Sequence, residues 1–255
     1  MEQIALALAG GVLVGLLLGL VGGGGSILTV PILVYALGES AHLATGTALA
    51  IVGANALIGA WEHGKASRVR LPVGLIFGGI GIVGALAGSW LNHLAPERAV
   101  LVGFALLMLA AATAMARVRL RGRQPAPEVH ITWRVTLAGL GVGVLTGFFG
   151  VGGGFLIVPA LVLVLGLPMR DAVGTSLVVI AINAAAALAG HLRYGGIDLE
   201  VTVLFIIGGA VGSVLGSRLS GRLDEERLRQ SFAGLVVLVA LYILARTVLG
   251  HPSGT

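Results

Sequence analysis

Two clusters of glycine are the first residues in this chain whose type and spacing could do chemistry. Gly22, Gly23, Gly24 and Gly25 run directly into Ser26, and Gly150, Gly152, Gly153 and Gly154 flank Val151. Runs of glycine are poor helix, so each cluster interrupts the apolar sequence around it. Each is followed by a short apolar segment that carries a proline, Pro31 or Pro159. A glycine turn opening into a helix leaves several N–H groups free at a helix N-terminus. Those groups and the helix dipole both favour an anion. The plainer reading is that glycine lets helices pack closely. A phosphate-loop or dinucleotide site does not fit, because no βαβ pattern surrounds the glycines and no Gly-Lys-Ser/Thr follows them.

Polar residues follow each cluster at matched positions. Thr47 comes after Gly46, and Thr175 and Ser176 come after Gly174. Their hydroxyls either donate to a bound oxyanion or bond back to helix carbonyls. Asn55 and Asn183 lie further along, on the same helix face as the threonines. An Asn inside a span faces either a partner helix or a cavity. His63 and His191 fall at helix ends and read as interfacial histidines, or as a gate or proton carrier. No acidic or Cys ligands accompany them, so a metal site is not expected. No cofactor is implied. The centres of the spans carry no Asp, Glu, Lys or Arg, which disfavours a buried carboxylate relay and a cationic substrate.

The elements that position these residues must lie in a membrane. The 255 residues are 57% hydrophobic and 11% charged, against about 45–50% and about 25% in soluble domains. So few charges cannot cover a water-soluble surface, so the lipid bilayer is the expected partner. The chain has no cysteine, which excludes disulfides, thiol catalysis and thiolate metal sites. The net charge of +5 does not point to nucleic acid, because the basic residues sit in short loops between apolar runs. The first apolar run, Ile4 to Val21, lacks a basic leader and continues into more apolar sequence, so it reads as a retained helix.

The chain repeats itself. Gly11, Gly15 and Gly19 fall on Gly139, Gly143 and Gly147 at one constant offset, and the same offset carries Pro31 onto Pro159, Thr47 onto Thr175, Asn55 onto Asn183 and His63 onto His191. Chance in a glycine-rich chain does not supply the Pro, Thr, Asn and His matches in a single register. Repeat one covers about residues 1–116, a basic linker about 117–132, and repeat two about 133–250, all within one transmembrane domain. Helical segments are expected at about 4–20, 26–37, 41–62, 71–94 and 98–116, then at about 133–148, 154–165, 170–190, 198–220 and 227–248. The second segment of each half is too short to cross a hydrocarbon core of about 30 Å. The first two segments of each half therefore form a broken or re-entrant hairpin.

The expected fold class is an all-α polytopic membrane protein. Each half carries a glycine-rich hairpin and three spanning helices, which makes its crossing number odd and the two repeats inverted. Arg117, Arg119, Arg121 and Arg123, then Lys65, Arg68 and Arg70, then Arg218, Arg222, Arg227 and Arg229 all fall in loops on one side. That side is expected to be cytoplasmic, with both termini periplasmic.

The second glycine cluster with Pro159, the run Asp171 to Leu177, Asn183 and His191 together resemble the TauE/SafE sulfite-exporter-like permeases, and the resemblance covers both halves. The first half departs from the motif, with Leu43 at the position of Asp171 and Ala48 at that of Ser176. The resemblance implies transport of sulfur-containing anions such as sulfite, thiosulfate and sulfoacetate across the bacterial inner membrane. The reading at this level is a secondary transporter in which an anion binds between the two glycine clusters, with alternating access by rocking of the halves. A passive anion channel is the alternative. An intramembrane enzyme would need an activated Ser–His pair or paired Asp within the spans, and the chain offers neither. The sequence leaves room for a homo-oligomer without requiring one.

Overall fold

The computed structural model describes residues 2–92, 96–117, 133–149, 154–192 and 196–249. Helix α1, Glu2–Val21, ends at the first glycine cluster, where Gly23–Gly25 make one turn of 3-10 helix. Helix α2, Ser26–Pro31, continues as a wider π turn over Ile32–Ala36. Pro31 has no N–H to give to the helix ladder, and the ladder relaxes into π geometry directly after it. Helices α3, Ala41–Lys65, α4, Leu71–Asn92, and α5, Glu97–Arg117, complete the first half. The second half repeats the order with α6, Trp133–Phe149, α7, Gly154–Leu163, α8, Met169–His191, α9, Leu199–Arg222, and α10, Glu225–Leu249. The described residues hold no strand.

Among the described residues, six helices are long and apolar enough to cross a membrane: Gln3–Val21, Leu43–Lys65, Leu71–Gly88, Met169–Ala189, Leu199–Arg222 and Glu225–Ala245. Shorter apolar helices run over Ser26–Ala36, Val102–Arg117, Val135–Phe148 and Gly154–Leu163. The outer surface is apolar, with exposed Val83, Leu86, Leu215 and Leu238. Trp61, Trp90 and Trp133 are exposed near helix ends, where an interfacial belt of aromatics belongs.

Glycine sets the packing. A methyl group at Gly11 would overlap the backbone of Phe205, one at Gly15 that of Gly209, and one at Gly19 that of Ser213. These contacts advance together along both helices, so α1 and α9 run parallel. The offset seen in the sequence carries each of them onto a contact between α6 and α4: Gly139 on Phe77, Gly143 on Gly81 and Gly147 on Ala85. Lipid tails supply no hydrophobic drive between helices, so backbone approach of this kind is what holds such pairs.

Helices α3 and α8 cross between the two parallel pairs. Gly46 meets His191, Gly53 meets Ala184 at 3.3 Å, Gly59 meets Leu177 at 3.0 Å, and Gly174 meets His63 at 3.1 Å, each measured from a Cβ built on the glycine. The order reverses from one helix to the other, so these repeat-related helices are antiparallel.

Basic residues of the described loops gather at one end of the bundle, while Arg119, Arg121 and Arg123 lie outside the described residues. Arg70 Nε lies 3.1 Å from Asp171 Oδ2, the Arg68 guanidinium covers Gly221, and Arg170 Nη2 donates to Leu223 O at 2.6 Å. Arg229 is 6% exposed. It donates to the carbonyls of Met115 and Ala116 at the C-terminus of α5 and pairs with Glu226. A cation belongs at such a helix end. Glu39 and Asp198 lie near each other at the opposite end.

Candidate functional site

The first glycine cluster is a turn wedged between helices. Gly22 has φ +73°, in the left-handed region that glycine reaches without strain. A Cβ there would lie 2.5 Å from Ser176 Oγ on α8. Gly25 rests on α1, where a Cβ would come within 2.6 Å of Val14 O. Gly24 lies within the same turn.

Gly23 meets the start of α7 directly. A Cβ on Gly23 would overlap the backbone of Gly154, and one on Gly154 would lie 2.7 Å from Gly23 O and 2.8 Å from Ser26 Oγ. The start of the second short helix thus abuts the turn that opens the first. In this conformation the two are in contact at Gly23 and Gly154, with no space between them there. Gly150, Gly152 and Gly153, the rest of the second cluster, lie outside the described residues.

The hydroxyls around the turn are engaged locally. Ser26 Oγ donates to Gly23 O at 2.7 Å, and Ser176 Oγ donates to Val173 O at 2.8 Å. Thr47 and Thr175 have a different task, one that links the halves. Arg70 N–H, just before α4, donates to Thr175 Oγ1 at 3.0 Å. Asp198 N–H, the N-cap of α9, donates to Thr47 Oγ1 at 3.0 Å. The two bonds are one bond repeated at the sequence offset. Each threonine is fully buried and satisfies an amide at a helix start that has no helical partner of its own. Its hydroxyl proton is left over for a second acceptor.

A model of the family described as "Sulfite exporter TauE/SafE" matches residues 7–243. The chain belongs to the TauE/SafE sulfite-exporter family. It is 36% identical over 96% of its length to a "Probable membrane transporter protein" of Xylella fastidiosa, 97% of which is covered. It is 27% identical to the "Probable membrane transporter protein YdhB" of Bacillus subtilis, with 89% of this chain and 96% of that one covered. A "Probable membrane transporter protein" of Methanocaldococcus jannaschii is 26% identical, with 92% of each covered. No solved structure matches. This TauE/SafE protein is a membrane transporter.

The asparagines of the TauE/SafE chain sit against the helix seams. Asn55 is fully buried on Gly209 of α9, and neither side-chain polar atom has a hydrogen-bond partner. Asn183 stands over Gly81 of α4 more loosely, its Oδ1 at 3.7 Å from a Cβ built there. Ser213, a residue the sequence did not single out, donates to Gly15 O at 3.3 Å across the α1–α9 seam. Its repeat mate is Ala85, so only one seam carries this bond. His63 is 1% exposed, and its Nε2 lies 2.9 Å from Gly19 O on α1. His191 Nε2 is buried without a partner among the described residues. Those residues contain no group of His, Cys, Asp and Glu fit to hold a metal ion.

The two ends of the bundle differ in charge. Arg70 and Asp171 pair at one end, and their repeat mates at the other are Asp198 and Leu43. Glu39 lies beside Asp198, and neither of its carboxyl oxygens has a hydrogen-bond partner. Burial raises its pKa above the ordinary carboxylate value and the charge of Asp198 adds to this, while the Thr47 hydroxyl works against both.

Proposed function

We propose that this TauE/SafE protein is a secondary transporter, and not an enzyme, that moves a small sulfur-containing oxyanion or organosulfonate such as sulfite, thiosulfate or sulfoacetate across the inner membrane by alternating access. The carrying observation is the contact of the first glycine turn, at Gly23, with the start of α7, at Gly154, with Ser176 beside Gly22. Free N–H groups at a helix start attract negative charge, and two such starts at one place supply donors from both halves. The turns part to admit the anion, which Gly22–Ser26 and Gly150–Gly154 then hold. Thr47 and Thr175 have hydroxyl protons to add as the helices shift, and Ser176 adds its own by releasing Val173 O. Asn55 and Asn183 hold polar groups in reserve at the helix seams beside this path.

The reading takes the two repeats as inverted in the membrane, with both termini periplasmic. The antiparallel packing of α3 on α8 supports it, as does the gathering of Arg68, Arg70, Arg170 and Arg229 at one end. The family name supports a sulfur oxyanion as cargo.

The test is a binding screen of sulfite, thiosulfate, sulfoacetate and small carboxylates on the purified protein, followed by counterflow in liposomes. Saturable counterflow of one sulfur anion is expected. Flux that never saturates and shows no counterflow would favour a passive channel, and carboxylate binding with none of the sulfur anions would reject the substrate class.

A further inference from the structure

The two histidines are the same repeated residue caught in two arrangements. The ring of His63 reaches across to α1, where Nε2 lies 2.9 Å from Gly19 O. Against α8 it presents its Cβ, 3.1 Å from a Cβ built on Gly174. His191 does the reverse. Its ring lies on α3, with Cδ2 at 2.7 Å and Nε2 at 2.8 Å from a Cβ built on Gly46, and Nε2 has no hydrogen-bond partner among the described residues. The repeat mate of Gly19 is Gly147.

The carbonyls concerned are alike. Gly19 lies in the last turn of α1 and Gly147 in the last turn of α6. Carbonyls there have lost the amide of a continuing helix and need another donor. His63 supplies one, at the negative end of the helix dipole, three residues before the chain breaks at Gly22. Gly19 O can only accept, so His63 Nε2 carries the proton of this contact, and Nδ1 is buried with no partner among the described residues. The contact therefore fixes the entry to the glycine turn.

We propose that His63 and His191 are alternating positioning residues: the His63–Gly19 bond fixes the first glycine turn in the state seen here, and a His191–Gly147 bond replaces it in the opposite state. The proposal rests on the alternating-access reading above. It requires only that the repeats exchange conformations, so that each histidine takes in turn the arrangement the other now holds. His63 lies at the end of the bundle that carries Arg68 and Arg70, because Ala66 N and Arg68 N both donate to His63 O. The present state is thus the one fastened at the basic end.

The chain has no cysteine, so one introduced thiol reports cleanly. Ser176→Cys places it beside Gly22, and a membrane-impermeant maleimide is applied to right-side-out and inverted vesicles. His63→Ala should shift the ratio of labelling rates about fivefold toward entry from the basic face, the effect of one net hydrogen bond on a two-state balance. His191→Ala should shift it about fivefold the other way. His63→Gln and His191→Gln keep an N–H donor and should leave the ratio unchanged. They also keep the test alive if an alanine variant fails to fold, because a Gln variant that shifts the ratio overturns the proposal. Alanine variants that shift it in the same direction, or not at all, overturn it as well. A thiol that reacts from one face only in every variant overturns alternating access itself, an outcome distinct from failure of the latch.

Discussion

Thr175→Val separates a fold-building role of this hydroxyl from a substrate-binding one. Valine keeps the shape and removes the acceptor that Arg70 N–H uses at 3.0 Å. The amide is then left at the start of α4 with no helical partner, and Thr175 is 0% exposed, so water does not replace the oxygen. Stranding a buried donor costs about 1–3 kcal/mol, and losing a capping oxygen about 0.5–2. Taking about 1–2 kcal/mol for the overlap, Tm should fall by roughly 2–8 °C in a chain of this size. The assay is a melt followed by tryptophan fluorescence in detergent, without substrate and then with sulfite. Thr175→Ser retains an acceptor and should recover most of the loss. Thr47→Val should show a similar loss through Asp198 N–H, and the double variant should be close to additive, since the two bonds lie at opposite ends of α3 and α8. An unchanged Tm together with weakened sulfite binding would refute this reasoning and make Thr175 a ligand residue first.

Three other outcomes are expected. Gly23→Ala should lower Tm in the absence of ligand, because the methyl overlaps the Gly154 backbone, and should also abolish the sulfite-induced rise in Tm; melts with and without sulfite check both. Glu39 has a raised pKa, so the folded state holds its proton more tightly than the unfolded chain. Its contribution to stability is complete below the ordinary value of 4.5 and is lost as pH rises through the higher folded value; Tm against pH for wild type minus Glu39→Gln should show a fall in that window, and a flat difference would count against a buried carboxyl. Reporter fusions at Gly122 and Ser220 should read cytoplasm and a fusion at Thr255 periplasm, and a cytoplasmic Thr255 would reject the inverted topology.

The helical frame was legible because its signals are local. The Gly22–Gly25 break, Pro31, and the short segment after them can be read in a window of fifteen residues or so. The spacing of Gly11, Gly15 and Gly19 announces a packing face, and the structure supplies its partner, α9. What escaped the sequence depends on contacts far apart in the chain. Thr47 and Thr175 were open to donation to an anion or back-bonding within their own helices, and the structure has them accepting amides from the other half. Nothing near Thr175 points to Arg70. The repeat made the histidines look equivalent, but their rings turn opposite ways. Arg229 read as a loop cation, and it is a buried cap on α5.

The glycine seams also say which parts can move together. Each tight parallel pair takes one helix from each half, α1 with α9 and α6 with α4. The repeat in the sequence is therefore not the mechanical unit of the protein. A motion that keeps both seams intact carries pieces of both repeats as one body and lets two mixed bodies slide past each other. It also means that neither half, expressed alone, has a covering for its own glycine face. On the inverted-repeat reading proposed above, the covering for a half expressed alone would be a second copy inserted the opposite way up.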